Sequence, residues 1–141
     1  MMNSEIYSSV LTGHKLILIV CDNRGFAVIE RLQTDQGGKS FNNMFVDCKV
    51  QRVVPVDFVR HAESMGAHAE KVRSVGELEQ AFARAKEADR TAIIVIDVQA
   101  QQWTPGGAWW DVGVPEVSDR AEVRKARARI DKQRAAQRVI G

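Results

Sequence analysis

With 141 residues, 45% of them apolar and 27% charged, the chain has the length of one domain and the composition of a soluble globular protein that can bury a core. The apolar runs at 16–21 and 92–96 are far too short to span a bilayer, and no basic-then-apolar leader opens the chain, so a cytoplasmic protein without a membrane partner is expected. The net charge of +2 hides an asymmetry, because from residue 119 onward eight Lys or Arg face three Asp or Glu, leaving that tail at +5 and the remainder at −3. No aromatics or glycines that would grip a nucleic acid are interleaved with these basic residues, so they read as a solvated helix.

In chain order, Asn3 or Ser4 can cap a short helix carrying Ile6 and Val10, which Thr12-Gly13 stops. Residues 15–21, apolar without alternation from Leu16 onward, predict a strand buried on both faces, as in a parallel sheet. Cys21 in that run and Cys48 beyond it are too few for a disulfide framework and lack metal-ligand spacing, so both are expected to be reduced packing residues. Residues 34–43 read as a polar loop longer than a connection needs. Pro55-Val56-Asp57 opens a helix with Phe58, Val59, Ala62 and Met65 on one face and Gly66 at its end. A short strand at about 67–72 follows. Ser74-Val75-Gly76-Glu77 is a capping box, and Leu78, Ala81, Phe82 and Ala85 then keep helical spacing. Residues 91–98 predict a second strand buried on both faces. Residues 99–117, with Trp103, Trp109, Trp110 and Pro115, suit neither a helix nor a central strand and predict an irregular arm anchored by its rings. The order of elements argues for an α/β fold, a parallel sheet with helices on both faces.

The turn after the first strand, Asp22-Asn23-Arg24-Gly25, carries the chemistry. It puts an amide side chain and backbone carbonyls at the carboxyl edge of the sheet, where α/β folds bind ligands, and such oxygens suit a hard cation and a phosphate. His14, His61 and His68 are not assigned a catalytic role. His61 lies opposite the apolar face of its helix, the other two sit at element ends, and no triad spacing stands out. Gly37-Gly38-Lys39-Ser40 lacks the first glycine and the strand-loop-helix setting of a phosphate loop.

Asp22-Asn23-Arg24-Gly25-Phe26, the stretch from Val56-Asp57-Phe58 to Met65-Gly66-Ala67, and residues 78–85 and 93–98 together resemble the C-terminal, diphosphate-binding domain of thiamine-diphosphate enzymes of the acetolactate synthase type. Residues 1–10, Gly37-Gly38-Lys39-Ser40-Phe41-Asn42-Asn43, Gly107-Ala108-Trp109-Trp110-Asp111-Val112 and Val114-Pro115-Glu116-Val117-Ser118 resemble, more narrowly, the cyclic-dione hydrolases of inositol catabolism within that superfamily. The resemblance implies a thiamine diphosphate-binding fold over 1–98, followed by an irregular Trp-rich arm at 99–118 and a basic helix at 119–141. It implies thiamine diphosphate and Mg²⁺ as cofactors, with the Asn23 side chain and the Gly25 carbonyl as metal ligands and Val28 beside the cofactor, next to Ile29 on the substrate side. It assigns no catalytic side chain to this chain.

The reaction implied for the intact protein, expected to be a homo-oligomer, is hydrolytic opening of a cyclic polyol dione at a carbon–carbon bond. In relatives a Gly-Asp-Gly segment precedes the residues that match Met1 and Met2. The fold is therefore expected to be N-terminally truncated here, without the acidic metal ligand, the strand that bears it or the upstream domain. Weak cofactor binding, no activity from the chain alone and an open sheet edge beside 16–21 are the expected consequences. The alternatives are an acetolactate synthase-like carboligase or decarboxylase, a catalytically silent interaction domain, and a module that binds an anionic polymer through residues 120–138.

Overall fold

A computed structural model describes residues 3–102 and 113–137. Trp103, Trp109 and Trp110, which define most of the expected arm, lie outside the described residues. The chain divides into two compact units, one of Met1–Asn23 with Arg52–Gln99, the other of Arg24–Gln51 with Ala100–Gly141.

The first unit is a parallel sheet of three strands in the order β1-β3-β2, with β1 at Ile17–Asp22, β2 at His68–Val72 and β3 at Ala92–Asp97. Ile17 pairs in register with Ala92 and Asp22 with Asp97, while His68 also meets Ala92 from the other side. The helices α1 (Ser4–Thr12) and α3 (Phe58–Ser64) cover one face, where Ile6, Val10, Phe58 and Val59 pack on Ala62, Ile93 and Val95. On the other face α4 (Val75–Glu87) brings Ala81 and Ala85 against Val72, Ala92 and Ile94. The expected helix-covered parallel sheet is therefore present. β3 is its centre, with four successive residues from Ala92 to Val95 buried, and each buried isoleucine contributes about 1.5–3 kcal/mol.

Local sequence explains where these elements begin. Asp57 accepts the Arg60 amide at 3.0 Å and caps α3, and Ser74 Oγ accepts the Glu77 amide at 3.2 Å and caps α4. The Glu77 carboxylate reaches one residue further back than a capping box requires, accepting from the Arg73 amide at 2.8 Å. Phe82, on the expected apolar face of α4, is 41% exposed, and the Lys86 ammonium lies 5.7 Å from its ring centre. A buried hydroxyl chain ties α1 to the sheet. The Leu16 amide donates to Thr91 Oγ1 at 3.0 Å, the Thr91 and Ser9 hydroxyls share a bond of 2.7 Å, and Ser9 Oγ donates to the Ile6 carbonyl at 2.7 Å.

β1 departs from expectation. It is an edge strand of the described sheet, and its second face is covered only at its start, where Ile17 packs on the α4 side. Leu18 and Val20 pack against the α1 and α3 side, whereas Ile19 is 43% exposed and Cys21 is exposed as well. Cys21 is therefore not a packing residue, and among the described residues β1 pairs with β3 alone. Both cysteines are free thiols.

The second unit holds α2 (Ala27–Asp35), one turn of 3₁₀ helix at Phe45–Asp47 and α5 (Ala121–Ala135). The polar stretch at 34–43 is thus helical at its start, since Thr34 and Asp35 close α2. Within the basic tail the helix spans Ala121–Ala135, and it is not solvated all round. Val123, Ala126 and Ile130 bury one stripe together with Val114. Its arginines engage backbone carbonyls, Arg120 that of Gly37 at 3.1 Å, Arg124 that of Ser118 at 2.8 Å, Arg127 that of Val114 at 3.1 Å and Arg129 that of Asp35 at 2.8 Å. Gly37 adopts φ 81° against α5, and a Cβ there would lie 2.4–2.5 Å from the backbone of Glu122 and Val123.

Candidate functional site

The turn singled out in the sequence begins where β1 leaves the sheet. Asp22 is the last residue of the strand, and its carbonyl accepts the Val98 amide at 3.0 Å, carrying the ladder one step past β3. Asn23 follows at the carboxyl edge, outside the strand and partly buried. On the same edge Asp97 closes β3 and holds the Lys71 ammonium of β2 at 2.8–2.9 Å, so a balanced ion pair flanks the end of β1.

Asn23 ends one segment of the first unit and Arg24 begins the second unit. Arg24 has a left-handed backbone, φ 63°, which costs a non-glycine residue on the order of 1 kcal/mol or more and persists only where its surroundings fix it. The surroundings here are an antiparallel bridge between Gly25 and Met44. The Phe26 amide donates to the Asn43 carbonyl at 2.7 Å and the Phe45 amide to the Arg24 carbonyl at 3.1 Å. The two chains run so close that a Cβ on Gly25 would sit 2.4 Å from the Asn43 carbonyl oxygen and 2.8 Å from Met44 Cα. Glycine is required at 25 because no side chain fits, and the backbone itself is what the turn presents.

α2 starts immediately after this bridge. Ala27 is buried, while Val28 and Ile29 are 50% and 51% exposed. Glu30 is 5% exposed, and it accepts from Asn43 Nδ2 at 3.1 Å; the same amide donates to Gln33 Oε1 at 2.9 Å. Gln33 Nε2 in turn donates to the Lys39 carbonyl. The far end of the polar stretch is therefore held to α2 by side chains. Asn43, Glu30 and Met44 escaped the sequence reading. The Asn42-Asn43 pair was the available signal, since paired amides near a turn mark a segment able to bond its neighbours.

The three histidines stand apart from the turn. His61 is exposed on α3, His14 Nδ1 lies 3.0 Å from the Thr12 hydroxyl, and His68 Nε2 lies 2.7 Å from Asp89. Asp89 is held below its ordinary value of 3.8 chiefly by that histidine bond, with Arg90 adding a smaller attraction. Among the described residues no group of three His, Cys, Asp or Glu is arranged for a metal. A cation at the turn would draw on amide and carbonyl oxygens such as those of Asn23 and Gly25. Hard, neutral donors of this kind fit Mg²⁺ and leave its charge for an anionic ligand.

The profile of the family described as "Thiamine pyrophosphate enzyme, C-terminal TPP binding domain" matches residues 1–96. The chain is 35% identical over 128 residues to the 3D-(3,5/4)-trihydroxycyclohexane-1,2-dione hydrolase of Halalkalibacterium halodurans, covering 89% of this chain and 20% of that protein. It is 35% identical over 127 residues to the Bacillus subtilis hydrolase of the same name and 34% identical over 127 residues to that of Listeria innocua, with the same coverage of 89% and 20%. The chain thus spans about one fifth of the length of these curated relatives. By this match and these identities, the chain belongs to the thiamine pyrophosphate enzymes, within their C-terminal TPP binding domain.

Proposed function

We propose that the chain forms the diphosphate-facing part of a thiamine-diphosphate-dependent hydrolase that opens a cyclic polyol dione at a carbon–carbon bond, a reading supported by the family match and by relatives named as trihydroxycyclohexane-1,2-dione hydrolases. The observation that carries this reading is the end of β1. The strand delivers Asn23 to the carboxyl edge of a parallel sheet, within the stretch covered by the family match. In this reading the Asn23 side-chain oxygen and the Gly25 carbonyl hold Mg²⁺ against the cofactor's diphosphate. The half-exposed Val28 and Ile29 offer apolar surface beside it that excludes water. Bound thiamine diphosphate supplies the electron sink needed to break a bond next to a carbonyl. The chain's own part is binding and orientation. The same reading has the intact protein acting in the cytoplasm as a homo-oligomer.

The polyanion-binding alternative loses ground to the carbonyl contacts of Arg120, Arg124, Arg127 and Arg129, which occupy much of the basic helix. No helix among the described residues is long and apolar enough to cross a membrane. The test is paramagnetic. Mn²⁺ with thiamine diphosphate is titrated into isotope-labelled chain, a measurement that registers even weak binding. Broadening is expected first at Asn23 and Gly25 and is expected to be lost in Asn23→Ala. Broadening centred elsewhere, or indifferent to that substitution, would refute the assignment.

A further inference from the structure

We propose that Asn43 is a positioning residue, anchored by Glu30 and Gln33, that fixes the direction of the Gly25 backbone; the functional side of this proposal rests on the reading of Gly25 as a cofactor-facing carbonyl.

Asn43 acts on the turn through two of its groups. Its backbone carbonyl accepts the Phe26 amide at 2.7 Å, which sets the peptide plane just after Gly25. Its side-chain amide is held by Glu30 at 3.1 Å and Gln33 at 2.9 Å, so the carbonyl cannot swing without breaking bonds to α2. The helix that supplies these anchors is tied to the same turn, because the Glu30 amide donates to the Phe26 carbonyl at 2.9 Å. A ring of contacts therefore closes through Phe26, Glu30 and Asn43.

Two further features mark this ring as more than ordinary packing. Residues on both sides of the bridge, Arg24 at φ 63° and Asn42 at φ 55°, adopt the left-handed region, and strain of this kind gathers where a backbone must face a set direction. Glu30, at 5% exposure, is a buried acid on a helix whose neighbours Val28 and Ile29 lie open to solvent. A buried carboxylate costs stability unless it is bonded, and the Asn43 amide supplies that bond. Acid and amide are thus set on the unit's inside, while apolar side chains are left outside beside the turn.

The experiment reads amide hydrogen exchange and Mn²⁺ broadening on the full 141-residue chain. In Asn43→Ala the Phe26 amide, which keeps its acceptor at residue 43, is expected to exchange at least about tenfold faster, roughly 1.4 kcal/mol, while the Ile130 amide of α5 changes less than about twofold. The double substitution Asn43→Asp with Glu30→Gln exchanges acceptor for donor across the Glu30 contact but leaves Gln33 Oε1 without its donor, so it is expected to recover only part of the Phe26 protection that Asn43→Asp loses. Asn43→Asp alone sets two carboxylates together and is expected to be worse than Asn43→Ala. The Mn²⁺ concentration needed to broaden Gly25 should rise in step with Phe26 exchange.

Unchanged Phe26 protection in Asn43→Ala would overturn the proposal. So would equal acceleration at Phe26 and Ile130, which would mark Asn43 as a stabiliser of the whole unit. If the parent shows no broadening at Gly25, the functional reading fails while the exchange data still decide whether Asn43 positions the turn.

Discussion

Replacing Thr91 by Val tests whether the buried hydroxyl chain locks α1 to the sheet. Valine keeps the shape of the side chain, which is fully buried, and removes only its hydroxyl. Two bonds go with it, the acceptor of the Leu16 amide at 3.0 Å and the partner of Ser9 at 2.7 Å. The Ser9 hydroxyl keeps its bond to the Ile6 carbonyl and loses little, but the Leu16 amide is left without this acceptor, a cost of about 1–3 kcal/mol. A net loss of about 2 kcal/mol is expected, or on the order of 6–8 °C in Tm for a chain of this size. Ser9→Ala should cost about 1–2 kcal/mol, because the Thr91 hydroxyl then lacks an acceptor. Since both changes delete the same bond, the double variant should fall short of the sum by about 1 kcal/mol. Urea denaturation followed by circular dichroism measures all three. A Thr91→Val change within 0.5 kcal/mol of the parent (of order the scatter for neutral sites), or strict additivity, would show that the hydroxyls do not act as a chain.

Two further outcomes are expected. Gly37→Ala forces a Cβ to within 2.5 Å of the Glu122 and Val123 backbone and strains a residue at φ 81°; it should destabilise α5 by about 2 kcal/mol or more, read as faster amide exchange at Val123 and Ile130, whereas unaltered exchange would mean the helix yields without cost. Because the folded pKa of Asp89 lies below its ordinary value, its contribution to stability is complete above that value and fades as pH falls through the folded one. Carbon-detected NMR should find the Asp89 midpoint below 3.8 and moving back toward it in His68→Ala; the same midpoint in both proteins would remove the histidine as the cause.

Much of the first unit was legible because its signals are local. Ser74 and Asp57 announce helix starts through side chains that bond three residues ahead, and the buried run of β3 leaves no polar face for water. β1 misled because an apolar run reports hydrophobicity and not what covers it: helices reach Leu18 and Val20, and Ile19 stays open. α2 was hidden for a related reason. Ala27, Val28 and Ile29 are consecutive apolar residues, which masks a helical period, and the next buried position is an acid whose partner, Asn43, lies at the far end of the polar loop. The turn at 22–25 was readable from its residue types, whereas the strand-like stretch that braces it was not, since no local pattern tells Gly25 that Met44 will lie opposite.

The carbonyl contacts of α5 also bear on chemical modification. The residues that grip the backbone are arginines, which acetylation of lysines leaves untouched, whereas Lys125 and Lys132 lie exposed on the same helix. Acetylating those two lysines would therefore erase much of the helix's net charge and leave its attachment intact. Part of the charge is thus carried by residues that take no part in the anchorage, so the tail's electrostatic character can drift without loosening the unit it secures.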